Sequence, residues 1–200
     1  MVELNAPAHD VAPLLLGATL TSLVEEHEVV LRITEVEAYA GEGVDPGSHA
    51  FRGQTPRTAV MFGPAGFAYV YFTYGMHWCF NIVTGPVGEA GAVLVRAGQI
   101  IGGIDFARAR RPSARNDSEL ARGPARLTMA LGIDGSLNGV DLLDPESVLT
   151  LEAAAKTVTH VQVSARTGVG GAGARTPWRF FMPGEPSVSR YVAARPRDNR

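Results

Sequence analysis

Residues 29–39 read VVLRITEVEAY. At a strand's period of two, one face starts Val29, Leu31, Ile33 and continues Glu35, Glu37, Tyr39. Such a face is not plain core, because burying an ionised carboxylate without partners is strongly unfavourable. Either the strand leaves the core after Ile33 and the acids are solvated, or they face a cleft. Two features favour the cleft. Tyr39 prolongs the same face, and the turn-rich GEGVDPGS that follows folds back to deliver His49. Glu, Tyr and His converging on one cleft suit general-base chemistry on a flat, polar, aromatic ligand.

The remaining pattern predicts a mixed α/β chain with a mainly antiparallel sheet. Asp10 is positioned to cap a short helix through Leu14, Leu15, Leu16 and Leu20. The opening strand covers about residues 28–39. AYVYFTYGMHWCFNIV at 68–83 reads as two β segments around Gly75, and AVLVRA at 92–97 as another strand. DFARARR predicts a short basic helix. A further helix opens at Gly123-Pro124 and closes at Gly132. Later strands are expected near 148–152, 159–165 and 178–182. Strands and helices mix without a βαβ rhythm, there is no internal repeat, and no linker divides the chain. One domain over 1–200 follows, with residues 1–10 and 195–200 as frayed tails.

The 200 residues are 46% hydrophobic and 19% charged, the balance of a soluble globular chain able to bury one core. No basic segment leads into a long apolar run, which argues against a signal peptide and a membrane span. A single cysteine, Cys79, excludes an intramolecular disulfide, and no Cys/His group has zinc spacing. These features predict a cytoplasmic protein. The net charge of −2 hides an asymmetry: −8 over residues 1–50, +5 over 51–126 and +1 over 127–200. The basic middle third carries only arginines, whose planar forks suit phosphate, although a compositional bias would produce the same run.

In the hairpin, Tyr69, Tyr71 and Thr73 share one face and Val70, Phe72 and Tyr74 the other. Tyr69 and Phe72 are expected in the core. Tyr74, Met76 and His77 are expected exposed at the tip, where apolar groups beside arginines suit a wedge into a base stack. GVGGAG at 168–173 fits a dinucleotide-binding fingerprint, but that site needs a helix to start there and Thr176-Pro177 forbids it. The segment is read as a loop, flexible or offering backbone amides to a phosphate or substrate.

Taken together, RITEVEAYAG, SH, RGQTPR, MFGPAGFAYVYFTYGMHWCFNIV, AVLVRA, RGPARLTMALGI, ARTGVGGAG and PWRFF resemble the alkyladenine (3-methyladenine) DNA glycosylase family, in unbroken order over about residues 12–185. The resemblance implies a monofunctional base-excision repair enzyme. Such an enzyme flips a damaged, alkylated or deaminated purine out of duplex DNA and hydrolyses its N-glycosidic bond. It implies a single mixed α/β domain around a curved, mainly antiparallel sheet with surrounding short helices. No metal and no cofactor are implied, and the partner is double-stranded DNA, with the protein nucleoid-associated when bound and monomeric by default.

By position in those motifs, Glu37 resembles the family's general base, which activates the attacking water, and Arg96 the arginine that helps hold it. Tyr39, His49 and Tyr71 match residues that sandwich and line the flipped base. Asn81 matches a pocket residue that disfavours the amino group of normal guanine, and Val169 lies in the loop that closes over the pocket. Tyr74 matches the side chain that fills the space left in the duplex. Met76, His77 and Thr55 are placed near the backbone or groove, with Arg52 and Arg57 as generic phosphate candidates. Glu35 is assigned a supporting salt bridge with a nearby arginine. Two alternatives remain open on the residues alone. One is a lesion- or nucleic-acid-binding module without catalysis. The other is a metal hydrolase using Glu35, Glu37 and His49, against which stands the single histidine near the acids.

Overall fold

The computed structural model describes residues 3–194. Eight strands form one antiparallel sheet: β1 (Thr19–Val24), β2 (His27–Tyr39), β3 (Ala68–Thr73), β4 (His77–Val83), β5 (Ala92–Gly102), β6 (Leu149–Glu152), β7 (Gln162–Ser164) and β8 (Arg179–Phe181). The main order is β3-β4-β5-β2-β1-β6. Strand β2 is long enough to take two partners along one edge. Its first half pairs with β1, whereas Glu35–Glu37 pair with Phe181–Arg179 of β8, which in turn pairs with β7. Helices α1 (Ala8–Val11), α2 (Ile104–Arg110) and α3 (Pro124–Leu131) complete the domain, α3 packing on β4 and β5. The mixed α/β single domain with a curved antiparallel sheet is thus present.

The two faces of the sheet divide the labour. Val70, Phe80, Ile82, Val93 and Val95 point into the main core with Leu127, Ala130 and Leu131 of α3. Their alternates Tyr69, Tyr71, Cys79, Asn81, Leu94 and Arg96 line a cleft on the other face. Strand β2 corrects the simple period-two expectation. Val29, Leu31 and Ile33 are core, but so are Val36 and Ala38. Ile33 pairs with Gly98, Glu35 with Ala97 and Val36 with Val95, so Thr34 on β2 and Arg96 on β5 have no opposite residue. This double bulge slips the alternation by one position. Glu35, Glu37 and Tyr39 therefore stand on the face opposite Val29, Leu31 and Ile33.

Other expectations meet the structure unevenly. The helix expected through Leu20 ends early: α1 is followed by a 3-10 turn at Ala12–Leu15, and Leu20 lies in β1. Asp10 makes no cap, since the chain enters α1 from Pro7. Pro13 and a left-handed Gly17 (φ 81°) break the helical run. The helix at Gly123–Gly132 and the strands near 149–152, 162–164 and 179–181 form where the pattern placed them. Frayed ends were expected at 1–10 and 195–200. Residues 1–2 and 195–200 lie outside the described residues, while Leu4 and Ala8 are 4% and 3% exposed and pack into the core. Among the described residues no helix is long and apolar enough to cross a membrane.

Candidate active site

Because β2 is flanked by β5 and β8 where its acids sit, each strand contributes an arginine. Arg96 donates from Nε to Glu35 Oε1 (2.9 Å) and from Nη1 to Glu37 Oε2 (3.2 Å). Arg179 donates from Nε to Glu35 Oε1 (2.7 Å). Glu35 is thus fully engaged in ion pairs, in agreement with its expected supporting role. Burial works against the Arg96 charge, but Glu37 and then Glu35 overcome it and hold its pKa above the ordinary arginine value.

Glu37 is completely buried. Its Oε1 accepts the Thr167 amide (2.6 Å) and its Oε2 the Tyr39 hydroxyl (2.9 Å) as well as Arg96. A carboxylate offers about four acceptor positions, so these three bonds orient it and leave one for a further donor. Tyr39 and Arg96 both line the cleft, which places Glu37 immediately behind its wall. Burial first, and the Glu37 charge second, push the Tyr39 phenol well above its usual pKa, keeping it a proton donor to the carboxylate.

The cleft has a volume of about 1280 Å³, larger than the roughly 300–1,000 Å³ of a typical small-molecule site. Tyr39, Tyr69, Tyr71 and His49 give it aromatic walls. The His49 ring meets Tyr71 edge-on at 4.6 Å, and its Nδ1 lies 3.4 Å from the Tyr69 hydroxyl. Burial and then the Arg57 charge lower the His49 pKa, which makes it a neutral ring at neutral pH. Asn81 is buried and donates its amide to the Tyr69 carbonyl (2.9 Å), which locks its orientation toward the cleft. Val169, in the loop after β7, forms part of the opposite wall. No helix starts in GVGGAG; a 3-10 turn at Gly171–Gly173 takes its place.

Two buried residues that the sequence did not single out hold these walls together. Arg166 donates from Nη1 and Nη2 to the two carboxylate oxygens of Asp45 (2.6 and 2.7 Å) and from Nη1 to the Ala38 carbonyl (2.9 Å). Its guanidinium lies 4.5 Å from the Tyr39 ring centre. Asp45 also accepts the Ala40 and Gly47 amides, so one ion pair ties the loop carrying His49 to the strand carrying Glu37. Glycine is required at 47, where a Cβ would stand 2.6 Å from Arg166 Nη2 and 2.7 Å from Val169 Cγ1. The DPG turn at Asp45 was the only sequence signal, and it did not name its partner.

At the cleft mouth, Met76 donates its amide to the Thr73 carbonyl (3.1 Å) across a turn in which Tyr74 (φ 52°) and Gly75 (φ 65°) are both left-handed. That turn ordinarily takes Asn-Gly, and a tyrosine in it is strained. Tyr74 is 85% exposed, and Met76 and His77 are exposed beside it. Phe72 corrects its core assignment: it is 46% exposed and packs on Trp78 (4.8 Å), because the outer end of β3 extends past the helices. Arg57 reaches this hairpin, donating to the Phe72 carbonyl (3.3 Å) with its guanidinium 5.1 Å from the Tyr71 ring centre. Thr55 and Arg52 are exposed but do not line the cleft.

The basic middle third is divided: Arg52, Arg57, Arg108, Arg115 and Arg126 are exposed, while others are used internally. Arg96 and Arg111 are buried, Arg108 pairs with Asp117 (2.7 Å), and Arg110 donates to the Val24 carbonyl (3.0 Å). The three-ligand metal reading finds no cluster, since among the described residues no three His, Cys, Asp or Glu side chains gather as ligands.

An aromatic cleft backed by an oriented, buried carboxylate is fitted to an enzyme acting on a flat ring, and comparison supplies the class. The family model for methylpurine-DNA glycosylase matches residues 2–186. The chain belongs to this family and is a DNA glycosylase, a hydrolase of DNA repair. It is 53% identical over 196 residues to a Streptomyces avermitilis protein named "Putative 3-methyladenine DNA glycosylase", covering 97% of this chain and 92% of that one. Proteins of the same name from Leifsonia xyli and Nocardia farcinica are 52% and 50% identical, covering 93% and 88% of this chain and 89% and 84% of theirs.

Proposed function

We propose that the protein excises alkylated or deaminated purines, 3-methyladenine among them, from double-stranded DNA, with Glu37 activating the attacking water. The damaged nucleotide rotates out of the helix into the cleft, and its base stacks against Tyr39 and Tyr71 beside His49. Unstacking and unpairing cost about a few kcal/mol, and base–aromatic stacking returns roughly 1–3 kcal/mol per base. Electron-rich ring faces hold a cationic, alkylated base better than a neutral one. Asn81, rigidly held, excludes the amino group of normal guanine. Val169 and its loop close the far side.

Water then attacks the anomeric carbon while Glu37 takes its proton. The C–N bond breaks, and its electron pair leaves with the base. Arg96 keeps the carboxylate aimed, and the products are a free purine and an abasic site on an unbroken strand. The observation that supports this reading most is the Glu37 carboxylate itself, held by Tyr39, Arg96 and the Thr167 amide directly behind the aromatic wall.

The test is release of free base from duplexes carrying 3-methyladenine, 7-methylguanine, hypoxanthine or ethenoadenine, beside an undamaged duplex. Release from a lesion duplex, unchanged by chelator, is the expected result. Tight lesion binding with no abasic product makes the protein a recognition module instead, and loss of release on chelation makes it a metal hydrolase.

Tyr74 fills the gap left by the rotated nucleotide, with Met76, His77, Thr55, Arg52 and Arg57 along the backbone. This accounts for a strained tyrosine at an exposed tip. Tyr74→Asn is expected to relieve about 1 kcal/mol of backbone strain and raise the melting temperature by about 2–4 °C. Lesion-duplex affinity falls roughly ten- to hundredfold, read by fluorescence anisotropy. A variant both less stable and equally tight in binding removes the wedge role.

A further inference from the structure

The segment after β8 runs back across the carboxylates, and its residues beyond 186 lie outside the family match. It is tied down at several points: Ser187 Oγ to Thr34 Oγ1 (2.9 Å), the Val188 carbonyl to Arg122 Nε (3.1 Å), and the Val192 carbonyl to the Gly168 amide (2.9 Å). Ser189 is the residue that reaches the ion-pair network. Its amide donates to Glu35 Oε2 (2.6 Å), its carbonyl accepts from Arg179 Nη2 (3.0 Å), and its hydroxyl sits between Glu35 and Arg96. That hydroxyl donates to Glu35 Oε1 (2.9 Å) and accepts from Arg96 Nη2 (3.5 Å).

The Arg96 guanidinium is therefore held at three nitrogens by three different residues: Nε by Glu35, Nη1 by Glu37 and Nη2 by Ser189. The Ser189 contact, the longest of the three, adds a third point that opposes rotation of the fork. With only Glu35 and Glu37 as partners, a planar fork can turn to form a two-pronged pair with one carboxylate and abandon the other. Glu35 is the stronger competitor, because Arg179 and the Ser189 amide already fix it in place.

We infer that Ser189 is a positioning residue for base release: its hydroxyl holds Arg96 in the orientation that serves Glu37. The C-terminal segment is thereby part of the active site. This inference rests on the proposed role of Glu37 and deepens it. Ser189 does not line the cleft, so the effect falls on the chemical step and not on lesion binding.

The experiment compares Ser189→Ala, Ser189→Thr and Ser187→Ala with the unmodified protein, measuring single-turnover base release, lesion-duplex affinity and melting temperature. Ser189→Ala is expected to slow release roughly tenfold at unchanged affinity, and Ser189→Thr, which keeps the hydroxyl, to restore most of the rate. Ser187→Ala breaks the neighbouring tie to Thr34 without touching the carboxylates, and is expected to lower the melting temperature while keeping the rate. Equal release by Ser189→Ala and the unmodified protein overturns the inference. A similar loss of rate in Ser187→Ala also overturns it, since general loosening then explains both. No release by the unmodified protein overturns the proposed activity and the inference together, whereas release without Ser189 dependence removes only the inference.

Discussion

Glu37→Gln is expected to slow base release by about 10²–10⁴-fold while lesion-duplex binding persists. The amide keeps the shape of the carboxylate but cannot take a proton from water. Its carbonyl oxygen can replace only one of the two carboxylate oxygens that now receive Thr167, Tyr39 and Arg96. The –NH₂ end must therefore face a donor, and the buried mismatch costs about 1–3 kcal/mol of stability. Arg96 keeps its bond to Glu35, so the fold survives. Single-turnover release, affinity and thermal melting separate these effects. Release at the unmodified rate removes Glu37 from the chemistry, and loss of binding together with release shows a collapsed site.

Asp45→Ala carries the largest expected loss of stability. Arg166 is completely buried, its Nε has no partner among the described residues, and Asp45 is its only anionic one. Burial opposes the Arg166 charge and Asp45 restores it, leaving the guanidinium pKa above its ordinary value. Removing one member of a buried pair typically costs about 3–5 kcal/mol, because a lone charge stays behind. For a domain of this size that is a fall of roughly 6–20 °C in melting temperature. Replacing both residues, as Asp45→Ala with Arg166→Met, is expected to recover much of the loss, since no buried charge is stranded. Calorimetric melting of the two single variants and the double completes the cycle. A single variant as stable as the unmodified protein refutes the role of this pair.

The hairpin was legible because its information is local. Alternation over 68–73 and 77–83 assigns Tyr69 and Tyr71 to one face whatever the partner strands, and Gly75 marks the turn. The resemblance of the motifs to a glycosylase family named Glu37, Tyr39, Asn81 and Arg96 in advance, and the structure brings these four to one cleft or its back wall. It leaves Thr55 and Arg52 away from the cleft, and of the middle arginines it buries Arg96 and Arg111 while Arg52, Arg57, Arg108, Arg115 and Arg126 stay exposed. Composition could not anticipate that, since charge counts carry no direction. Phe72 was misplaced for a related reason: a face pattern says which side a residue takes, not whether a helix covers it there.

The sequence by itself determined the strand periods, the Pro-to-Gly helix at 124–131, the hairpin turn and the residue types gathered around the acids. These follow from backbone preferences and spacing over a few residues. Tertiary structure alone decided that a double bulge turns Glu35 and Glu37 away from the core, and that β8 brings Arg179 beside Arg96. It also chose Asp45 for Arg166 and Ser189 for Arg96, pairs separated by 121 and 93 positions. Register and long-range pairing are set by how whole strands dock and neutralise buried charge, a balance that no short stretch of chain contains.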